Sequence, residues 1–340
     1  MKKIKRMVFV ENEGNNNPHI NIALEEYMLR NFSPDNDYLL FYINRPSIII
    51  GSYQNTLEEI NYDYVKEHSI NVVRRLSGGG AVYHDLGNLN FSFHTNHDIK
   101  SINNFKNFTA PVIKVLNSLG LNAELQGRND ILAEGRKISG TAQFTNGKRM
   151  LSHGTLLYNS NLGEVVNALH VKMSKIESKG HKSVRSRVAN ISEFMKNQLP
   201  IEEFRKLLLE GLYRDEEPFE TYHLTEEEWK GVHQLVEEKY DTWDWNFGRS
   251  PKFNIKRVKR FPVGEIDLRI FVEKGHITEF KVYGDFFGKK PIAELEEMMI
   301  GLRYEREDLT GRLADVDITD YFGDVPKDEF ISLLHGDDES

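Results

Sequence analysis

Arg74 and Arg75 precede Ser77 and an unbroken run of three glycines, Gly78, Gly79 and Gly80. Glycine in mid-sheet costs about 0.5–1 kcal/mol relative to alanine, so three in a row need a reason. A hairpin turn is one reading, since glycine reaches positive φ without steric cost. The other is anion binding. Backbone N–H groups approach a phosphate or carboxylate most closely where side chains are missing, and an arginine beside them adds a permanent charge. The run is not a P-loop, because no Gly-Lys-Ser/Thr follows, and it lacks the spacing and following helix of a dinucleotide-binding turn. Lys137 stands at the start of an apolar-alternating segment before Ser139-Gly140; taken alone it reads as a solvated surface lysine, but in a nucleotide site an ammonium can steady charge on a transferring phosphoryl or acyl group. Asp130, in Gly127-Arg128-Asn129-Asp130, offers an oxygen ligand for Mg²⁺ or simply a turn residue. His153, before Gly154, reads as a turn residue in preference to a pocket donor. The histidines show no zinc-binding spacing.

These residues sit in an ordinary soluble composition. The chain has 340 residues, 39% hydrophobic and 28% charged, which suggests about two domains. No apolar run approaches the ~18 residues of a membrane span. The N-terminal apolar run Met7–Val10 is too short for a secretory signal, so a cytoplasmic location is the expectation. There is no cysteine, which removes disulfides, thiolate metal sites and a cysteine nucleophile together. The net charge, 44 − 52 = −8, speaks against generic nucleic-acid binding. The charge is uneven: Lys172–Arg187 holds six Lys/Arg against one Glu, and Pro200–Trp245 holds fourteen Asp/Glu against five Lys/Arg. Both stretches also read as solvated surface.

The elements that must position the chemistry follow from periodicity and punctuation. Asn17-Pro18 opens a helix with its apolar stripe at Ile20, Ala23, Leu24, Tyr27 and Met28. Strands are expected at Met7–Val10, Tyr38–Ile43, Ser47–Ile50, Ile70–Leu76, Ala81–Tyr83 and Asn90–His94. A helix ending at Leu119 should carry Pro111 in its first turn. Four strands follow, near Ala123–Gln126, Asp130–Ala133, Lys137–Phe144 and Ser152–Tyr158. Helices are read at Leu162–Leu169, Ile201–Leu212 and Glu226–Glu238. A Gly/Ser/Pro cluster at Asn246–Pro251 marks a boundary, dividing the chain into domains 1–246 and 247–340. Beyond it, strands at Phe253–Arg260, Glu265–Glu273 and His276–Tyr283 and helices at Ile292–Ile300 and Lys327–Leu334 can make a small second domain. Strands and helices mixed without strict βαβ alternation give an α+β class with a mixed or antiparallel sheet.

Several motifs occur in order: Arg74-Arg75-Leu76-Ser77-Gly78-Gly79-Gly80-Ala81-Val82-Tyr83-His84-Asp85 with Gly87-Asn88; Gly127-Arg128-Asn129-Asp130; Arg136-Lys137-Ile138-Ser139-Gly140; His153-Gly154-Thr155-Leu156-Leu157; and Lys182–Val188 with Asn190. Together they resemble the lipoate–protein ligase A family. The likeness covers residues 7 to 195, and Phe261–Leu313 resembles the family's C-terminal accessory domain. The resemblance implies a class II biotin/lipoate ligase fold and an ATP- and Mg²⁺-dependent reaction in two steps. Lipoate, or octanoate, attacks the α-phosphorus of ATP, giving lipoyl-AMP and pyrophosphate. A lysine amine of a lipoyl-domain protein then displaces AMP.

Carried onto this chain, the resemblance assigns ATP and lipoyl-AMP binding to Arg75, Ser77, Gly78, Gly79, Gly80, Ala81, Val82, Tyr83, Asn88, Lys137 and His153. Lys137 is the catalytic charge stabiliser, not a covalent nucleophile, and Asp130 is the Mg²⁺ candidate. Lys182–Arg187 falls in a segment near the adenylate and also offers charge to steer an acidic lipoyl domain. The implied partners are lipoate and the apo lipoyl domains of 2-oxo acid dehydrogenase acyltransferase subunits or the glycine-cleavage H protein, with the ligase a monomer and neither nucleic acid nor membrane involved. Octanoyl transferases of the same fold need the cysteine that this chain lacks, and biotin ligases carry a different arginine/glycine loop. The competing expectation is a non-catalytic lipoate- or carrier-binding protein on the same fold.

Overall fold

The structure, a computed structural model, describes residues 6–169, 187–213, 219–248, 254–273 and 275–336. The basic run at Lys172–Arg187 therefore lies almost wholly outside the described residues, as does part of the expected boundary at Asn246–Pro251. Two compact units make up the chain. Met1–Ile50, Leu57–Arg75 and Ala81–Asn246 form the first; Gly51–Thr56, Leu76–Gly80 and Phe247–Ser340 form the second.

The first unit is built on a mixed eight-stranded sheet. In chain order its strands are β1 (Met7–Glu11), β2 (Asp37–Ile43), β6 (Asn88–Asn96), β7 (Ala123–Gln126), β8 (Asp130–Ala133), β9 (Arg136–Thr145), β10 (Arg149–Leu157) and β11 (Glu220–His223). They lie in the order β11-β1-β2-β6-β10-β9-β8-β7. β1 runs parallel to β2 and β11, and the other pairs are antiparallel. A three-stranded sheet, β4-β3-β5, comprises β3 (Ser47–Ile50), β4 (Asn71–Arg74) and β5 (Val82–His84). The helix Pro18–Asn31 starts as expected, with the Asn17 side chain accepting from the His19 N–H and proline in the first turn. Its Ala23, Leu24 and Met28 join Val8, Val10, Leu40 and Ile49 in the core.

Four readings change. β4 and β5 do not form a hairpin around the glycines; each pairs with β3, on opposite edges. The glycine run is therefore a crossover, not a tight turn. β11 lies between the helices expected at Ile201–Leu212 and Glu226–Glu238, where no strand is expected, and the backbone of Val8–Glu11 offers it a parallel partner. The helix Phe105–Ser118 begins earlier than expected and carries Pro111 in its interior. His153 lies in the middle of β10, between Ser92 of β6 and Ala142 of β9, and is not a turn residue.

The second unit contains the meander β12 (Ile255–Phe261), β13 (Gly264–Glu273) and β14 (His276–Gly284), with helices Ile292–Met299 and Lys327–His335. Ile266, Leu268 and Ile270 alternate into its core against Phe280, Leu295, Phe322 and Phe330. The loop segments belong here. The Tyr53 ring stacks on Phe286 at 4.9 Å, the Gly284 N–H donates to the Tyr53 carbonyl at 2.8 Å, and the Ser52 N–H donates to the Ser77 carbonyl at 2.9 Å. A Cβ on Gly78 would stand 2.4 Å from the Phe286 carbonyl oxygen, and one on Gly51 would stand 1.9 Å from that of Gly79. Gly79 itself has φ +90°. Part of the need for glycine here is thus protein backbone packed against protein backbone.

Gly154 tests the packing of the large sheet. Its missing Cβ would fall 2.6 Å from the Phe91 ring and 2.8 Å from the Thr141 methyl, on the two strands that flank β10. Gly154→Ala is expected to cost about 1–3 kcal/mol by overpacking a stiff region. Urea unfolding should show a lower midpoint with the same slope; an unchanged midpoint would contradict the packing.

Candidate active site

β4 ends in Arg74 and Arg75 follows it, and the two side chains leave on opposite faces. Arg74 is fully buried and structural. Its Nε donates to the Trp245 carbonyl at 2.9 Å, its backbone N–H donates to Asn246 Oδ1 at 2.9 Å, and the Trp245 indole N–H donates back to the Arg74 carbonyl at 2.8 Å. It ties the short helix Trp243–Asn246 to β4. Arg75 is buried elsewhere, its Nη1 donating to the Ile49 carbonyl at 3.0 Å. Burial brings its guanidinium down to about 10, with Tyr42 and Glu25 opposing the shift, so it remains a cation at neutral pH.

Around Arg75 the first unit gathers a set of buried polar groups. Glu25, on the helix Pro18–Asn31, is 1% exposed. Both its oxygens lie 3.0 Å from His153 Nδ1, and Oε1 accepts from the Tyr42 hydroxyl at 3.1 Å. Burial pushes the Glu25 carboxyl up, but the charge and N–H of His153, with help from His94 and Ser92, carry it below the usual carboxylate range. Burial and then Glu25 push the Tyr42 hydroxyl far up, so it stays a donor. His84, beside them on β5, is driven down to about 3 by burial, then by Arg75 and His153. His94 is driven to about 3 by burial, with Arg149 and His153 pushing the same way and Glu25 opposing. The Arg75 cation, the Glu25 anion and the neutral imidazoles of His84 and His94 thus share a dry site.

Lys137 is a different kind of cation, half-buried at the start of β9. A bulge between Ile131 and Leu132 in the β8–β9 register lets Ile138 turn fully inward while Lys137 stays accessible. Its Nζ lies 2.7 Å from Asp130 Oδ1, each side chain being about one-third exposed. Gly140 makes room for it, since a Cβ there would stand 3.3 Å from Nζ. The Lys137 carbonyl accepts from the Ala189 N–H at 2.9 Å.

The structure therefore brings Lys137 to Asp130 and places His153 in the buried group around Arg75. Ala81 and Val82 are half-buried and Tyr83 buried at and before β5. Asn88 is buried on β6, its Nδ2 donating to Asn90 Oδ1 at 2.9 Å while its own Oδ1 has no partner among the described residues. Ser77, Gly78, Gly79 and Gly80 belong to the second unit. Sequence reasoning missed Glu25, Tyr42 and His84 as site residues. The available signal was a carboxylate inside an apolar helix stripe and a histidine directly after a strand-forming tyrosine. Among the described residues no cluster of three His, Asp or Glu is arranged to hold a metal ion.

The two neutral histidines set a pH dependence. Unfolded histidine takes up its proton near pH 6.5, whereas folded His84 and His94 refuse it until about pH 3. The unfolded state binds more protons throughout that window, so stability falls as pH drops below about 6.5, by up to about 2.7 kcal/mol per unit for the pair. Urea midpoints at pH 7.5, 6 and 5 check this, and His94→Gln should roughly halve the slope. A midpoint flat over that range would contradict it.

The family description "Lipoyl protein ligase A/B catalytic domain" matches residues 17–213, and "Bacterial lipoate protein ligase C-terminus" matches residues 250–334. The chain is 54% identical over 331 residues to lipoate-protein ligase LplJ of Bacillus subtilis, covering 97% of this chain and 100% of that one. Among solved structures, P. falciparum LipL1 in complex with lipoate superposes with a TM-score of 0.77 at 26% identity, covering 97% of this chain and 98% of the other. A lipoate-protein ligase A bound with ATP superposes at 0.60 with 32% identity, covering 72% of this chain and 100% of the other. Matched by the catalytic-domain description over more than half its length and by a full-length relative, the chain belongs to the lipoate–protein ligase family and is a ligase.

Proposed function

We propose that the chain condenses lipoate with ATP and passes the lipoyl group to a lysine of an apo lipoyl domain. The 2-oxo acid dehydrogenase acyltransferase subunits and the glycine-cleavage H protein are the carriers in view, and octanoate is an alternative acid. In the first step a carboxylate oxygen forms a bond to the α-phosphorus of ATP, and the bond to the bridging oxygen of pyrophosphate breaks. In the second, the lysine nitrogen bonds to the acyl carbon, the mixed-anhydride C–O bond breaks, and AMP leaves as the nitrogen gives up its proton. Both steps bring anions together or build charge on oxygen, so a preorganised cation lowers both barriers.

The observation that carries this reading is Lys137, a cation held beside Asp130 with Gly140 clearing its space. An accessible ammonium can leave a carboxylate partner for an α-phosphate and an acyl oxygen. Arg75, buried and fixed, serves as the permanent charge of the site. Asn88, His153, Ala81, Val82 and Tyr83 complete the binding surface of the first unit in this reading. The division into a catalytic domain, 1–246, and an accessory domain, 247–340, is part of the proposal, as are cytoplasmic location and a monomeric state.

Magnesium fits this donor set only as a companion of the nucleotide. It typically takes one or two carboxylates with substrate phosphates, and Asp130 offers one accessible carboxylate. When bound, Mg²⁺ supplies charge neutralisation for the pyrophosphate leaving group.

Pyrophosphate release from ATP and lipoate tests the first step. Lys137→Ala should lower it by roughly 10²–10³-fold, the cost of removing one transition-state donor. Its far-ultraviolet circular dichroism should match the parent, because the side chain is not in the core. Lys137→Arg should restore little, since a planar fork does not replace a compact ammonium. Near-normal release from Lys137→Ala would overturn the assigned role.

A further inference from the structure

A chain of buried amides connects the N-terminal loop to His84, and its polarity can be read from one atom. The Asn15 backbone carbonyl can only accept. It accepts from Asn12 Nδ2 at 2.9 Å and from Asn21 Nδ2 at 2.8 Å, which fixes which end of each amide is nitrogen. Asn12 Nδ2 also donates to Asn21 Oδ1 at 3.0 Å, and Asn21 Nδ2 donates to Asn44 Oδ1 at 2.8 Å. Asn44 Oδ1 must therefore face Asn21, and Asn44 Nδ2 is left pointing at His84 Nδ1, 3.0 Å away. An amide N–H there requires Nδ1 to be the acceptor. In a neutral imidazole the proton then sits on Nε2.

Every member of the chain is buried: Asn12 at 4%, Asn21 and Asn44 at 0%, and His84 at 3% exposure. His84 Nε2 is buried and has no hydrogen-bond partner among the described residues. A buried donor left unpaired costs about 1–3 kcal/mol, and such costs are retained where a ligand repays them. Burial, Arg75 and His153 keep the ring uncharged, so at neutral pH it is a donor without being a second cation.

We propose that Asn44, oriented by Asn21, is a positioning residue that holds His84 as the Nε2–H tautomer, so that the ring donates to an anionic oxygen of the ligand bound beside Arg75. That oxygen belongs to the acyl carboxylate or to a nucleotide phosphate; both present the same acceptor chemistry. The inference rests on the ligase reading for the identity of the ligand, but the tautomer itself does not.

The test begins with wild-type protein labelled with ¹⁵N in histidine, His84 being assigned by difference from His84→Gln. At pH 7 its ring should show a protonated Nε2 and an unprotonated, hydrogen-bonded Nδ1. A protonated Nδ1 would overturn the proposal with no variant needed. In Asn44→Asp the neighbour becomes a pure acceptor, so Nδ1 should gain a proton as Nε2 loses its own. Calorimetric affinity for lipoate alone or for ATP alone should then fall roughly 10–100-fold, the loss of one hydrogen bond to a charged group. A loss confined to lipoate identifies the carboxylate as the acceptor, and one confined to ATP identifies a phosphate. His84→Gln keeps a side-chain N–H donor in place of the ring, and in that background Asn44→Asp should have little further effect. Unchanged affinity for both ligands with Nδ1 protonated and Nε2 unprotonated in Asn44→Asp would overturn the proposal. Wild-type protein that binds both ligands but transfers no lipoyl group would count against the ligase reading alone.

Discussion

The candidate site depends on a guanidinium held out of water. Removing an ion from water costs several kcal/mol even after relaxation, and Arg75 is almost entirely buried. The first unit meets that cost with the Ile49 carbonyl and with the charge of Glu25. Glu25 then needs partners of its own, and His153 and Tyr42 supply them. The two charges also decide the state of their neighbours. A histidine already buried and beside a cation stays neutral, and a tyrosine beside a carboxylate stays protonated. Four elements are thereby fixed relative to one another: the helix Pro18–Asn31, β2, the end of β4, and β10. The identity of each side chain follows from its neighbour's charge, which is why truncating one partner costs more than the pair contributes.

Lys137 stands under a different constraint. In the proposed reading it meets incoming phosphates, so it cannot be sealed in and needs a resting partner that can let go. A partly exposed Asp130 meets that need, because exposed pairs contribute only about 0–1 kcal/mol. The site in this reading combines a permanent charge that shapes the electrostatics with a movable one that follows the reaction. The bulge in the β8–β9 register separates Lys137 from the core without breaking the strand.

Much of the fold was legible in the chain. Period-2 alternation located most strands within a few residues, and Asn17-Pro18 marked its helix start. β11 was not legible, because it is only four residues long and its partner β1 lies some two hundred residues away in the chain. The site was legible where motifs carried it and opaque where partners are distant. Arg74 and Arg75 look equivalent in a string of letters, yet strand alternation sends one to Trp245 and the other toward Glu25. The glycines looked like ligand contacts, and two close approaches, Gly78 to Phe286 and Gly51 to Gly79, are made to protein. His153 looked like a turn residue because glycine follows it. Gly154 is there for packing against Phe91 and Thr141, which no local reading of the sequence exposes. Glu25 was hidden in an apolar stripe, since its partner His153 lies 128 residues away.

The central claim is lipoyl transfer, and intact-protein mass spectrometry of an acceptor tests it most directly. An apo lipoyl domain incubated with this protein, ATP, Mg²⁺ and lipoate should gain the mass of one lipoyl group on a single lysine, with no gain when ATP is omitted. An acceptor whose mass stays unchanged at near-equimolar protein, while lipoate and ATP both bind, would contradict the account.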